Sequence, residues 1–237
     1  MLSPVPMETK TILLIGASRG LGLAMAAQFV EKGWNVLGTV RGPARTKLHE
    51  LADQHPGRVS METLDITEPT QLAAMRERLA DRTFQMLFVN AGITNKDPTQ
   101  TIGEVTTEEF IRVMVTNALS PLRVVESLAE LVSADGLIGV MSSGQGSVTN
   151  NVGGLREVYR GSKAALNQYM RCYAAREAGS KRAMVLMAPG WVRTELGGPE
   201  GRLSIEESVP NLVNVLLEKQ GRPGLEYLDY LGKTVPW

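Results

Sequence analysis

The chain has 237 residues, 43% of them hydrophobic, with 25 Lys and Arg against 25 Asp and Glu. That length suffices for one large α/β domain with a substantial core, and the balanced charge leaves no basic excess to drive binding along a nucleic acid. A lone cysteine, Cys172, excludes an internal disulfide, and His49 and His55 have no acidic or thiol cluster beside them at metal-ligand spacing, so no metal is expected.

The N-terminal MLSPVPMETK lacks the basic start, apolar run and small-residue cleavage site of a secretory signal. No apolar stretch approaches about 18 residues. A cytoplasmic protein without a membrane span is therefore expected. Short apolar runs predict strands at residues 11–15, 35–40, 59–64, 85–90, 137–141, 183–188 and 225–228. Each of the first six is followed by a longer stretch, and helical period recurs between the strands, an alternation that predicts parallel strands joined by right-handed crossovers. The runs TILLI, MLFV and AMVLM are continuously apolar, as strands buried on both faces should be. The expected fold is α/β, a single-domain doubly wound Rossmann fold with a seven-stranded parallel sheet and helices on both faces.

In chain order, the first strand runs into Gly16-Ala17-Ser18-Arg19-Gly20-Leu21-Gly22 and then a helix with Leu21, Ala24, Met25, Gln28 and Phe29 on one stripe. Glycines at such a turn let the backbone approach a pyrophosphate, which the free N–H groups of the helix N-terminus favour. The second strand ends at Val40 and is followed by Arg41. After the third comes Asp65-Ile66, where the carboxylate either accepts from an adenine amino group or caps the next helix, whose start Thr67 and Thr70 mark. Asn90-Ala91-Gly92 follows the fourth strand, and Asn117 lies in the helical segment beyond it.

The fifth strand leads to Ser142-Ser143, with Ser147 close behind. Tyr159 and Lys163 then stand four apart at the start of a long helical pattern, which stacks their side chains on one face. A free phenol titrates near about 10, and an ammonium beside it is expected to lower that value toward the range of general acid–base work. Unaccompanied, the pair would read as a solvated helix pair. The sixth strand ends at Pro189-Gly190, with Val192 and Thr194 after it. Irregular sequence concentrates at residues 92–105, 142–157 and 190–204, all at the carboxyl ends of strands, where open α/β sheets bind ligands. The glycines in 190–204 suggest a flexible cover. Lys96 and Asp97 read as rim or solvated residues.

These motifs in this order resemble the short-chain dehydrogenase/reductase family over essentially the whole length, and in particular its small carbonyl reductases and signalling-related members. The resemblance implies one nicotinamide-dinucleotide-binding domain over 1–237, with a cofactor half at about 8–135 and a catalytic and substrate half at about 136–237. It implies that Tyr159 transfers the proton, Lys163 tunes it and holds the nicotinamide ribose, and Ser143 bonds the substrate oxygen. Asn117 would hold a water linking Lys163 to solvent, or else satisfy buried backbone. Asn90 would brace the sheet beside the cofactor, and Thr194 would bond the nicotinamide carboxamide or else cap a helix. The sixteen positions from Ser143 to Tyr159 exceed the family's usual spacing, which keeps Ser142 and Ser147 as alternatives.

The expected activity is interconversion of a small-molecule carbonyl and alcohol with NADP(H) in preference to NAD(H), since Val40 stands where NAD enzymes place an acid and Arg19 and Arg41 can meet a 2′-phosphate. As a bland alternative, Arg41 is a solvated loop residue. The competing function is a catalytically silent NADP(H)-binding redox sensor or interaction protein, against which the intact Asn, Ser, Tyr and Lys set argues. An epimerase or dehydratase would need a further substrate domain. A homodimer or homotetramer is expected, pairing helices at 119–133 and 159–178 through Leu122, Val125, Leu128, Ala129 and Val132, a stripe that burial within the domain would equally explain.

Overall fold

The computed structural model describes residues 9–237. Residues 1–8, where most of the segment read for a secretory signal falls, lie outside them. Seven parallel strands form one sheet in the order β3-β2-β1-β4-β5-β6-β7, from β1 (Thr11–Ile15), β2 (Asn35–Val40), β3 (Val59–Thr63), β4 (Phe84–Val89), β5 (Val132–Met141), β6 (Ala183–Ala188) and β7 (Gly224–Asp229). The order reverses direction at β1 and β4, so their carboxyl ends diverge into the crevice expected of a doubly wound sheet.

Apolar runs without alternation are explained by the two cores the sheet separates. Leu13 and Ile15 face one layer, with Leu72 and Met75 of α3 (Pro69–Arg78), Val125 of α5 (Ser120–Leu128) and Leu166 of α6 (Glu157–Arg176). Ile12 and Leu14 face the other, with Met25 and Phe29 of α1 (Gly20–Glu31), Leu48 of α2 (Lys47–Gln54) and Leu212 and Leu216 of α7 (Ile205–Lys219). Every position of such a strand removes apolar surface from water.

Several boundaries differ from the sequence reading. Helix α1 begins at Gly20, inside the glycine motif, and buries Gly22, Met25, Ala26, Phe29 and Val30, a stripe rotated one residue from the expected one. Strand β5 starts at Val132, five residues early, because the register against β4 shifts between Phe84 and Met86 and admits the polar Ser133-Ala134-Asp135-Gly136. The helix expected at 119–133 is instead α5 with a short 3-10 turn (Ala129–Leu131) and the first two residues of β5, and α5 is reached from α4 (Thr107–Met114) through a π-helical turn (Val115–Leu119). Its stripe of Leu122, Val125, Leu128, Ala129 and Val132 is at most 8% exposed and belongs to the domain's own core, which corrects its assignment to a partner surface. Among the described residues no helix is long and apolar enough to cross a membrane, and no group of three His, Cys, Asp or Glu is placed to hold a metal.

Candidate active site

The carboxyl ends of the strands open into a cleft of about 1160 Å³. Of the residues expected to bind the cofactor or take part in catalysis, all but Gly22 and Asn117 line it, and so does Ser142 but not Ser147. Gly22 sits behind the turn: a Cβ there would lie 2.0 Å from the Gly16 carbonyl oxygen and 2.6 Å from the Asn90 amide nitrogen, so only glycine lets α1 approach the strands this closely. Gly16 holds φ +86°, open to glycine at no steric cost. Asn90 Nδ2 donates to the Gly16 carbonyl at 2.8 Å and fastens the end of β4 to the turn. The bracing expected of Asn90 is thus a single bond to the glycine loop.

Around this turn the cleft is lined by Ser18, Arg19, Gly20, Leu21, Arg41, Asp65 and Ile66 on one side and by Ala91, Gly92, Pro189, Gly190, Val192 and Thr194 on the other. Asp65 Oδ1 accepts from the Thr67 backbone N–H at 2.9 Å and its hydroxyl at 2.7 Å. It does not cap α3, whose N-cap is Glu68. Arg41 is exposed. Arg19 forms an ion pair with Glu195 across the cleft rather than converging with Arg41.

The segment 190–204, expected to be a flexible cover, is tied to itself. Trp191 Nε1 donates to the Gly197 carbonyl at 2.7 Å, Arg193 Nη1 to the Gly201 carbonyl at 2.9 Å, and Thr194 Oγ1 accepts from Gly197 N–H at 3.0 Å. Its glycines serve close backbone packing, since Cβ atoms at Gly197 and Gly201 would lie 2.0 Å and 2.5 Å from neighbouring backbone. Thr194 caps no helix; Ser204 caps α7 in a reciprocal box with Glu207.

At the other end of the cleft stand Tyr159 and Lys163, 6% and 3% exposed, on the first turns of α6. Lys163 Nζ donates to the Met141 carbonyl at 2.9 Å and lies 5.9 Å from the Tyr159 ring centre. Burial pushes its ammonium down to about 8. Burial likewise raises the Tyr159 phenol above its ordinary value, outweighing the neighbouring Ser143 hydroxyl and the Arg156 charge, which both lower it. The sequence reading expected the opposite direction, with Lys163 as cause. The ammonium is instead turned to a main-chain oxygen, and the desolvated phenolate is the disfavoured form.

The three serines are separated by their partners. Ser142 Oγ donates to Asn167 Oδ1 at 2.6 Å, and Ser147 is buried against the Asn150 backbone and the Trp237 carbonyl. Of the three, only Ser143 bears on the phenol of Tyr159, which it lowers against burial, while its Oγ accepts from Gln145 N–H at 3.1 Å. Its carbonyl accepts from the buried Tyr227 hydroxyl of β7, which steadies the loop. Asn117, fully buried in the π-helical turn, accepts from Ile93 N–H at 2.9 Å and donates to the Ile93 carbonyl at 2.8 Å and Ser162 Oγ at 3.0 Å. Its side chain does the backbone-satisfying work of the second reading. A Cβ on Gly92 would lie 3.4 Å from both Asn117 Oδ1 and Lys163 Nζ, in ordinary contact, so Gly92 lies directly against both groups.

The sequence reading missed several wall residues: Thr94, Arg112, Gln145, Asn150, Arg156, Asp229, Tyr230 and Val235. Lys96 and Asp97 lie in a separate hollow. For Arg156 the signal was only its nearness in sequence, three residues before Tyr159, since it stands just outside α6 and shares no helix face with it.

Residues 10–202 match the model of the short chain dehydrogenase family, and the chain belongs to that family. A short-chain dehydrogenase/reductase from Burkholderia multivorans with bound NADP is 66% identical and superposes with a TM-score of 0.96 over 97% of this chain and 100% of its own. A carbonyl reductase from Pseudomonas aeruginosa PAO1 in complex with NADP is 33% identical, with a TM-score of 0.87 and the same coverage. Among curated relatives, the C-signal protein of Myxococcus xanthus is 32% identical over 154 residues, 64% of this chain and 92% of that protein.

Proposed function

We propose that the chain is an NADP(H)-dependent oxidoreductase that interconverts a small-molecule carbonyl and an alcohol, with Tyr159 as the general acid and base. The observation that carries the reading is the meeting of Tyr159, Ser143 and Lys163 at one end of a cleft whose other end is a glycine-built anion cradle. NADP is bound by the 66% and 33% identical relatives.

The dinucleotide would lie along the turn at Gly16, Ser18, Gly20 and Leu21, with Asp65 and Ile66 at its adenine and Arg41 at its 2′-phosphate. Ala91, Gly92, Lys163 and the stretch Pro189, Gly190, Val192 and Thr194 would hold the nicotinamide riboside. When bound, it supplies or takes the hydride at the substrate carbon. Ser143 bonds the substrate oxygen and Tyr159 exchanges its proton. A phenol held above its ordinary range is protonated at neutral pH, which suits proton donation in the direction of reduction. Lys163 keeps a positive charge near the phenol below about pH 8, and Asn117 positions residue 93 and Ser162 around it. On this reading residues of about 8–135 hold the cofactor and those of about 136–237 the substrate. A cytoplasmic setting fits a single exposed free thiol, Cys172. Assembly as a dimer or tetramer would use the exposed Ile111, Leu119 and Tyr169 rather than the buried α5 stripe.

The test is a panel of aldehydes, ketones and diols followed by NADPH absorbance. The native chain should prefer NADPH to NADH at least about tenfold, the worth of one charge-assisted bond to the 2′-phosphate. Arg41→Asp should reverse that order. Equal efficiency with the two cofactors would refute the assignment of Arg41.

A further inference from the structure

Arg156 stands immediately before α6 with φ 54° and ψ 41°, and Leu155 before it has φ 60°. Two successive left-handed residues other than glycine are unfavourable for L-amino acids, and such strain persists only where the surroundings hold it. Here it aims a guanidinium into the wall of the cleft. The guanidinium carbon lies 4.8 Å from the centre of the Tyr159 ring. One terminal nitrogen is 3.4 Å from the Thr94 hydroxyl, and Nε is buried with no partner.

Its isolation is not shared by its neighbours. Arg112, in the same wall, is held by Glu109 at 2.7 Å, and Glu109 is pulled down to about 2 by that bond, so the two cancel. Of the carboxylates lining the cleft, Glu195 pairs with Arg19, Asp65 is taken by Thr67, and Asp229 accepts from Leu231 and Lys233 N–H. None is within ion-pair distance of Arg156 among the described residues. A guanidinium carries five N–H donors and cannot lose its charge, so an anion is the ligand that would match both its free donors and its uncompensated charge.

We propose that Arg156 is a substrate-binding residue for a carboxylate, and that the enzyme acts on oxo acids, or the matching hydroxy acids, whose carboxylate lies a few bonds from the reacting carbon. The guanidinium carbon lies 4.8 Å from the centre of the ring that carries the Tyr159 hydroxyl, so a substituent a few bonds from a carbonyl held at that hydroxyl is the part of a substrate that would reach Arg156. The planar fork favours a carboxylate through paired hydrogen bonds. This rests on the reading of Tyr159 as the group that meets the carbonyl.

Equilibrium binding tests it without requiring turnover. Benzoylformate, 3-benzoylpropionate and their methyl esters are titrated calorimetrically against the native chain with NADP+ present. At least one acid should bind about tenfold or more tighter than its ester. In Arg156→Met, which keeps an unbranched apolar stem and the backbone strain but not the guanidinium and its charge, that ratio should approach one, and Arg156→Lys should keep part of it. Equal binding of acid and ester by the native chain overturns the proposal, and this comparison needs no variant to fold. So does a ratio that survives in Arg156→Met, or an equal loss for acid and ester, which would mark a packing role. An Arg156-dependent acid preference in a chain that reduces no carbonyl would keep Arg156 as a carboxylate-binding residue and remove both the proposed function and the assignment of oxo-acid substrates.

Discussion

Two lysines of this molecule are almost wholly buried, at opposite edges of the sheet, and they are treated differently. Lys219, at the end of α7, is 1% exposed and meets the Glu226 carboxylate at 2.6 Å and the Arg222 carbonyl at 2.7 Å. The bond holds the Glu226 carboxyl below its ordinary range. Lys163 is 3% exposed and has only the Met141 carbonyl. Burial without a counter-ion brings its proton affinity near neutral pH, whereas burial with one fixes the charge. A buried lysine is thus structural or chemical according to whether a carboxylate comes with it.

That contrast breaks most visibly through the groups around Lys163. Tyr159→Phe removes the transferable proton and keeps the ring, so turnover should fall at least about 10²-fold with NADPH binding, read by its fluorescence, retained. Near-normal turnover would remove Tyr159 from the chemistry and leave Lys163 as an unexplained buried charge. Lys163→Met should lower turnover about tenfold or more and weaken NADPH binding.

The same variant should be more stable at pH 7, by on the order of 1–3 kcal/mol, because it removes a charge that folding desolvates. Lys163 is depressed from 10.5 to about 8 in the folded chain. Between those values the unfolded chain binds a proton that the folded one does not, so stability from this group rises with pH across the window. Tyr159, Tyr173 and Tyr227, all raised by burial, act in the opposite sense above about pH 10. Urea midpoints at pH 7 and 9.5 should therefore converge in Lys163→Met relative to the native chain. An unchanged difference between the two pH values would show that Lys163 is not the group responsible.

Glu226→Gln sharpens the other half of the comparison. It strands the Lys219 charge, but Glu226 is partly exposed and the Arg222 carbonyl remains, so a loss of about 1–3 kcal/mol is expected, below that of a fully buried pair. Thermal melts should show it as a drop of several degrees. Turnover should stay within about twofold, and a large kinetic defect would mean the two edges are coupled.

Much of the frame was legible because buried parallel strands and glycine turns are local. The boundaries of β1, β2 and β6 coincide with their apolar runs. The early start of β5 was not legible, since Ser133 to Gly136 joins the sheet only through the shifted pairing with β4. Sequence order placed Tyr159, Lys163 and the serines at one edge and favoured Ser143, but the bond that occupies the alternative Ser142 comes from Asn167, a partner 25 positions away that the sequence does not mark. The direction of the Tyr159 shift depends on burial, and the pairing of Arg19 depends on Glu195, 176 positions away. Neither leaves a pattern in the chain.

The π-helical turn at Val115–Leu119 has a consequence for how this chain tolerates insertions and deletions. Such a turn houses one residue more than an α-helical turn, so deleting Thr116 would let α4 and α5 merge into one helix of regular pitch, its hydrogen-bond ladder broken only at Pro121, which has no N–H. The helix would gain regularity and the flanking turns would stay roughly in phase, yet the residues inside the wide turn, Asn117 among them, would lose the backbone positions that aim their side chains. Asn117 would leave Ile93 and Ser162. A chain one residue shorter would then fold around a better helix and a misassembled site, so the extra residue marks a place where selection for stability and selection for activity point in opposite directions.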